Sequence, residues 1–315
     1  MAQDHYVPQV HLKNFYASEL RGQMYAIRKA DLKTYSCNSR SQCRIEDGST
    51  NPYLLEPRII EEFLKKVEPR YNTALEGLRT GNLDVDSIFA IAGFAAYVDG
   101  CSPAGMRIHS VPMRAALEIA TGLLERNARL PVSPSEFGGQ MLSELLSSGH
   151  VQFKVDPKYP QSMGIRSVLQ RLSIWGNSRW EIIINEDKDS PFFTSDYPLG
   201  IEPDARPGIV NRIVPLAPNL AVRIRPDPGE RRIVDLEFRN LRTRHVEATR
   251  QQIVAINTAI VQAAETTVYY SSARPWIRRF VEKYADFHVE PKMTKLPYED
   301  SYMSVATMAV GRKSA

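Results

Sequence analysis

Four side chains stand out as candidates for chemistry: His5, Gln9, Glu68 and Asp196. His5 precedes a proline-started helical pattern and Gln9 falls in its first turn. An imidazole, a carboxamide and the unpaired N–H groups of a helix start therefore converge. Such a start offers orphan donors and a positive dipole end to phosphate or carboxylate, and imidazole can act as acid or base near neutral pH. The same two residues could instead cap the helix and fasten the terminus to a sheet. Glu68 lies on the line 64, 68, 71, 75 of a helical pattern, inside its apolar stripe. A carboxylate there is expected to be desolvated and its pKa raised, as in tuned proton-transfer groups; the competing role is a buried ion pair. Asp196 ends the apolar run 192–194 just before Tyr197-Pro198, where a strand can aim an acid into a cleft. An Asx turn would explain it equally. Ser195 beside it faces the other way along a strand, which excludes a Ser-His-Asp triad.

Positive charge is the second signal. The chain carries 40 Lys+Arg against 36 Asp+Glu, and residues 201–315 hold 18 basic and 13 acidic groups, so the excess is C-terminal. Arg223, Arg225, Arg231, Arg232, Arg239, Arg242, Arg244 and Arg250 crowd one stretch, and arginine suits bidentate phosphate contact. Lys13, Arg223 and Arg225 are the candidates for holding phosphates. Interleaved acids at 227, 230, 235, 237 and 247 offer the alternative of an ordinary salt-bridged surface. Two carboxylates and a His could bind Mg²⁺ or Mn²⁺, although their spacing matches no familiar nuclease signature.

Several classes are excluded. Three cysteines (37, 43, 101) without a CxxC pair make neither a disulfide framework nor a zinc knuckle. HExxH, GxxxxGK[ST] and GxGxxG are all missing from the sequence, which argues against zinc proteases, P-loop NTPases and simple dinucleotide folds. At 43% hydrophobic and 24% charged, the 315 residues have globular and not disordered composition. The longest apolar run, 88–98, is too short for a membrane span, and the first residues, MAQDHYVPQ, lack a secretory pattern. A cytoplasmic protein without membrane partners is the expectation.

The elements that must position these residues can be read from periodicity. Residues 8–17 suit a short helix, and 23–28 with 34–38 a β-hairpin. Apolar residues at 55, 59, 60, 63, 64, 67, 71, 74, 75 and 78 predict a helix, kinked or restarted at Pro69. Helices also fit 85–98, 112–127 and 135–148, the last two parted by Pro131 and Pro134. Short β-branched or aromatic runs at 180–185, 192–195, 209–214, 220–225 and 232–238 predict one five-stranded antiparallel sheet. A long helix over 243–270 and another over 275–284 follow. Strands segregated from helices indicate an α+β fold: one domain over 1–287 with a helical insertion at about 85–175, then an irregular tail over 288–315.

The opening HYVPQVHLKNF (5–15) closely resembles the signature HYVPQ-x-x-L-[RK]-N-F of a bacterial and fungal family known only as a domain of unknown function. FFTSDYPL (192–199) resembles that family's FITSDNPV, PLAP (215–218) its PLSP, and 257–271 its closing helix. Tyr197 stands where the family usually has Asn, and VDGCSPAGM (98–106) interrupts a region where Arg-Thr/Ser-Pro is common. The resemblance implies that these motifs work together, and no agreed activity comes with it. The residues themselves suggest His5, Gln9 and Asp196 in one pocket with Glu68 on its wall. That pocket would serve a phosphodiester-cleaving, nuclease-like hydrolase of the toxin or defence-effector kind. The alternative is a non-catalytic module that binds a nucleotide, a nucleic acid or a protein.

Overall fold

The computed structural model describes residues 3–127, 129–130, 134–204, 209–227, 233–298 and 301–313. The fold is α+β, as the segregation of strands and helices requires. The chain opens with β1 (Gln3–His5), the single-turn helix α1 (Gln9–Lys13), and the hairpin β2 (Met24–Arg28) and β3 (Thr34–Cys37). β4 (Arg44–Glu46) then returns antiparallel to β1. The helical pattern starting near 55 becomes α2 (Ile59–Val67) and α3 (Tyr71–Thr80), split by a 3-10 turn at Glu68–Arg70. Pro69 causes the split, because it lacks the N–H that an unbroken helix needs there.

Next come α4 (Val85–Cys101) and α5 (Pro103–Arg126), joined at Ser102. Asp84 and Ser102 cap the two starts by accepting from Ser87 N and Gly105 N. α6 (Leu142–Ser147), α7 (Lys158–Arg166) and α8 (Val168–Gly176) complete the helical middle. This is no peripheral insertion: α4 is buried along nearly its whole length, and its side chains join the sheet residues in one core cluster. α4 and α7 cross at Gly100 and Gly164, where a Cβ on Gly164 would lie 2.6 Å from the Gly100 carbonyl oxygen. Only a residue without a side chain allows that approach. Among the described residues, no single helix is long and apolar enough to cross a membrane.

The second half adds β5 (Arg179–Ile184), β6 (Thr194–Ser195), β7 (Gly200–Pro203), β8 (Val210–Ala217), β9 (Leu220–Arg225) and β10 (Arg242–Glu247). After these come α9 (Arg250–Ala263), β11 (Thr267–Tyr270), α10 (Pro275–Lys283), β12 (Phe287–Tyr298) and β13 (Ser301–Arg312). The expected single sheet is two. One has the order β10-β5-β9-β8-β7 and the other β3-β2-β11-β6, so 192–195 and the N-terminal hairpin share a sheet. The first is mixed, because β10 runs parallel to β5. The helix expected over 243–270 is thus three elements, β10, α9 and β11. Of the strand expected over 232–238, Arg232 lies outside the described residues, as does Arg231, and 233–238 form no strand. The tail expected to be irregular is the antiparallel hairpin β12–β13, whose base buries Val289.

Candidate phosphate-binding site and the N-terminal cleft

The N-terminal cleft has a volume of about 510 Å³ and brings together three of the four candidate residues, His5, Gln9 and Glu68, with Asp4, Glu61 and Lys65. β1 supplies His5, α1 supplies Gln9, and the Pro69 break supplies Glu68. His5 Nε2 donates to the Ser39 carbonyl oxygen at 3.1 Å, and Gln9 Oε1 accepts from Ser39 Oγ at 3.2 Å. Both therefore pin the loop after β3 and do not converge on a helix start. α1 has only five residues, too few for a useful dipole. Burial lowers the His5 pKa, against the Ser39 carbonyl, which raises it.

Glu68 corrects the expectation of a buried carboxylate. It keeps helical backbone angles at the end of α2, lines the cleft and is exposed. The low-dielectric wall still raises its pKa, against the pull of Lys13. Lys13 is exposed too. The cleft lining holds three carboxylates to one lysine, a balance that repels phosphate. Among the described residues, no group of three or more His, Cys, Asp or Glu side chains is placed to hold a metal ion, so Mg²⁺ or Mn²⁺ finds no ready ligand set there.

Asp196 is not in this cleft. It is 3% exposed and accepts from the backbone N–H groups of Glu265, Thr266 and Thr267 and from the Thr266 hydroxyl. Burial raises its pKa against these donors. Its carboxylate is engaged in capping the turn between α9 and β11, away from His5, Gln9 and Glu68.

The motif segments do meet, around residues 191–197, through contacts that sequence reasoning did not single out. His11 Nε2 lies 2.7 Å from Thr194 Oγ1 while its Nδ1 lies 2.7 Å from Tyr71 Oη. Phe192 N donates to the Pro218 carbonyl at 2.8 Å. Asn257 accepts from Phe193 N and donates to the Pro191 carbonyl, both at 2.9 Å. Asp99 accepts from Tyr197 Oη at 3.0 Å. The product is a hydrogen-bonded core, and Pro191, Pro218 and Ser271 at its edge line a pocket of about 720 Å³. His11 could have been found from its i, i+4 spacing to Phe15, which puts it on the buried face of α1.

The arginines corrected the other way. Arg223 is 7% exposed and pairs with Glu181 at 2.5 Å and Glu202 at 2.7 Å, so it cannot itself grasp a ligand. Arg225 pairs with Glu181 at 3.1 Å but also lines a second pocket of about 330 Å³ with Arg179, Arg242 and Arg244. Strand register builds this pocket. Arg242 on β10 stands opposite Arg179 on β5, and Arg179 opposite Arg225 on β9, giving a row of three like charges across one face. The next row on that face is Arg244, Glu181 and Arg223. Among the described residues Glu181 is the one carboxylate lining the pocket, and Arg244 also bonds to it. Like charges directly opposite one another destabilise a sheet. Arg179 escaped the sequence reading because it lies far from the arginine-rich stretch in the chain, and parallel pairing of β10 was not foreseen.

No family model matches the chain, and neither a curated protein nor a solved structure matches it. The likeness to the HYVPQ family rests on the quoted residues alone.

Proposed function

We propose that this chain is a phosphate-recognising binding module whose ligand is a nucleotide or nucleic acid, bound at the arginine pocket. The observation that carries this reading is the row Arg242, Arg179, Arg225, three guanidinium groups in cross-strand register at a concave site. Such a row lowers stability without an anion, and guanidinium forks match phosphate oxygens. The test is binding of labelled RNA and DNA oligonucleotides at two salt concentrations. Binding that weakens with salt and is lost in Arg179→Thr and Arg242→Thr supports the module. Binding that ignores both substitutions refutes it.

A second reading, hydrolysis of a phosphodiester at the N-terminal cleft, is favoured by His5, Gln9 and Glu68 lining one cleft. It ranks lower because the lining repels phosphate and Asp196 is elsewhere. Cleavage of RNA or DNA, with or without Mg²⁺ or Mn²⁺, that disappears in His5→Ala and Glu68→Gln would reverse the ranking.

A further inference from the structure

The arginine pocket is compact and concentrated in charge. Among the described residues its lining sets four guanidinium groups against one carboxylate, a net of +3. Beside it, in the next row of the same face, Arg223 closes onto Glu181 and Glu202, and Glu181 is 4% exposed, so the pocket is edged by a fixed ion pair. The arginine row spans two interstrand spacings, about 10 Å. A nucleic-acid backbone distributes one charge per roughly 3.4 Å of each strand and is met by an elongated stripe of cations. A short, dense cluster fits several charges carried close together.

Among the described residues the pocket offers no surface for a base. Trp180 is the one aromatic residue of the described lining, and at 1% exposure its ring is not available for stacking. Recognition must come from phosphate oxygens alone. Arg179 and Arg242 are exposed and stand side by side in register, and Arg225 and Arg244 flank the Glu181 carboxylate between them.

Building on the phosphate-binding reading, we propose that the ligand group is a linear di- or triphosphate, held by Arg179, Arg225, Arg242 and Arg244 with its nucleoside left in solvent. A free nucleoside triphosphate and the 5′-triphosphate end of an RNA share this chemistry.

The experiment is a thermal-shift and competition series on the full chain. The probes are inorganic phosphate, pyrophosphate, tripolyphosphate, AMP, ATP, GTP, and one RNA oligonucleotide with either a 5′-hydroxyl or a 5′-triphosphate. Tripolyphosphate, ATP and GTP are expected to stabilise alike and to bind at least about tenfold more tightly than AMP, since each added charge-assisted contact strengthens the complex. Preference for the triphosphate RNA over ATP would assign the source to an RNA end, and the reverse to a free nucleotide. Arg179→Thr is expected to raise the melting temperature without ligand and to erase the ligand-induced rise. Arg179→Lys keeps the charge but loses the fork, and is expected to lose the preference for triphosphate over AMP. If the 5′-hydroxyl RNA binds as tightly as the triphosphate RNA and both depend on Arg179, the di- or triphosphate proposal fails while the phosphate-binding module stands. If no phosphate compound binds, both fail.

Discussion

His11 Nε2 and Thr194 Oγ1 lie 2.7 Å apart, joining the first turn of the chain to a strand 183 residues later. The imidazole is fully buried and stacked on Phe94, and its other nitrogen is satisfied by Tyr71. A neutral ring has one donor and one acceptor, so the two hydroxyls complete it in opposite senses.

Burial pushes the His11 pKa down to about 3. Between that value and the unfolded value of about 6.5 the unfolded chain holds the proton and the folded one does not, so stability falls as pH drops through this window. The loss at about pH 5 is expected to be about 2 kcal/mol. His11→Phe keeps the ring but leaves two buried hydroxyls unpaired, at about 2–4 kcal/mol. Urea melts of both proteins at about pH 7 and about pH 5 check the claim. A wild-type slope matched by that of His11→Phe would disprove it.

The Tyr197 hydroxyl donates to Asp99 and ties segment 98–106 to segment 192–199. Burial alone would raise the Asp99 pKa, but Arg171, His109 and Arg212 outweigh it and hold the carboxyl well below its ordinary value. The Arg171 pair measures 3.1 Å and the Arg212 pair 3.4 Å. A depressed carboxyl contributes stability that is full above about pH 4 and is lost as pH falls below it. Asp99→Asn leaves two arginines facing no counter-charge and is expected to cost about 3–5 kcal/mol at neutral pH. Tyr197→Phe removes one hydrogen bond to a charged group, about 1.5–3 kcal/mol. Acid unfolding followed by circular dichroism should set in at a higher pH in Asp99→Asn, whose stability is already lower, while the wild type should lose stability more steeply below about pH 4; equal steepness would count against the cluster.

Asp196→Asn separates a structural from a catalytic carboxylate. The amide would turn its NH2 either toward the Glu265 N–H or toward the Thr266 and Thr267 N–H groups, leaving backbone donors without an acceptor. Stability is expected to fall by about 2–3 kcal/mol, as for a buried donor left unpaired. Phosphate-ligand affinity at a temperature where the variant is folded should be unchanged. Affinity lost without a change in melting temperature would restore Asp196 to a binding role.

Local signals made part of this molecule legible. Pro69 marks the α2–α3 break, and the 23–38 hairpin shows in its alternating runs. Non-local pairing hid the rest. β10 reads as helix because Arg242–Glu247 contains good helix formers, and its strand state comes from docking parallel to β5. β12 alternates Phe287, Val289 and Met293 with polar residues, but Pro291 and Pro297 obscure the pattern. A two-stranded ribbon tolerates them because each strand keeps a free edge. The candidate site divided the same way. Asp196 sits at a strand end as expected, yet its partners lie about 70 positions later, and Glu68, though within the apolar periodicity, lines an exposed cleft.

Lys29 offers a last test, of what fixes the end of α9 against β12. Its ammonium is 4% exposed and donates to the carbonyls of Val261, Ala264 and Phe287 at 2.7–2.8 Å. Two of these carbonyls lie in the last turn of α9 and its cap, where a cation also meets the negative end of the helix. Burial lowers the Lys29 pKa to about 7, with Lys313 adding to the effect. The unfolded value is about 10.4, so between the two the unfolded chain binds the proton and the folded one does not. This group's contribution to stability therefore rises with pH across that window. Lys29→Met removes the titration and leaves three carbonyls without their donor. It is expected to lower stability by about 2–4 kcal/mol and to flatten the dependence between about pH 7 and about pH 10. Amide hydrogen exchange should locate the damage at 261–268 and 287–289, the segments Lys29 ties together. Loss of protection spread evenly over the chain would show that Lys29 does not act through these carbonyls.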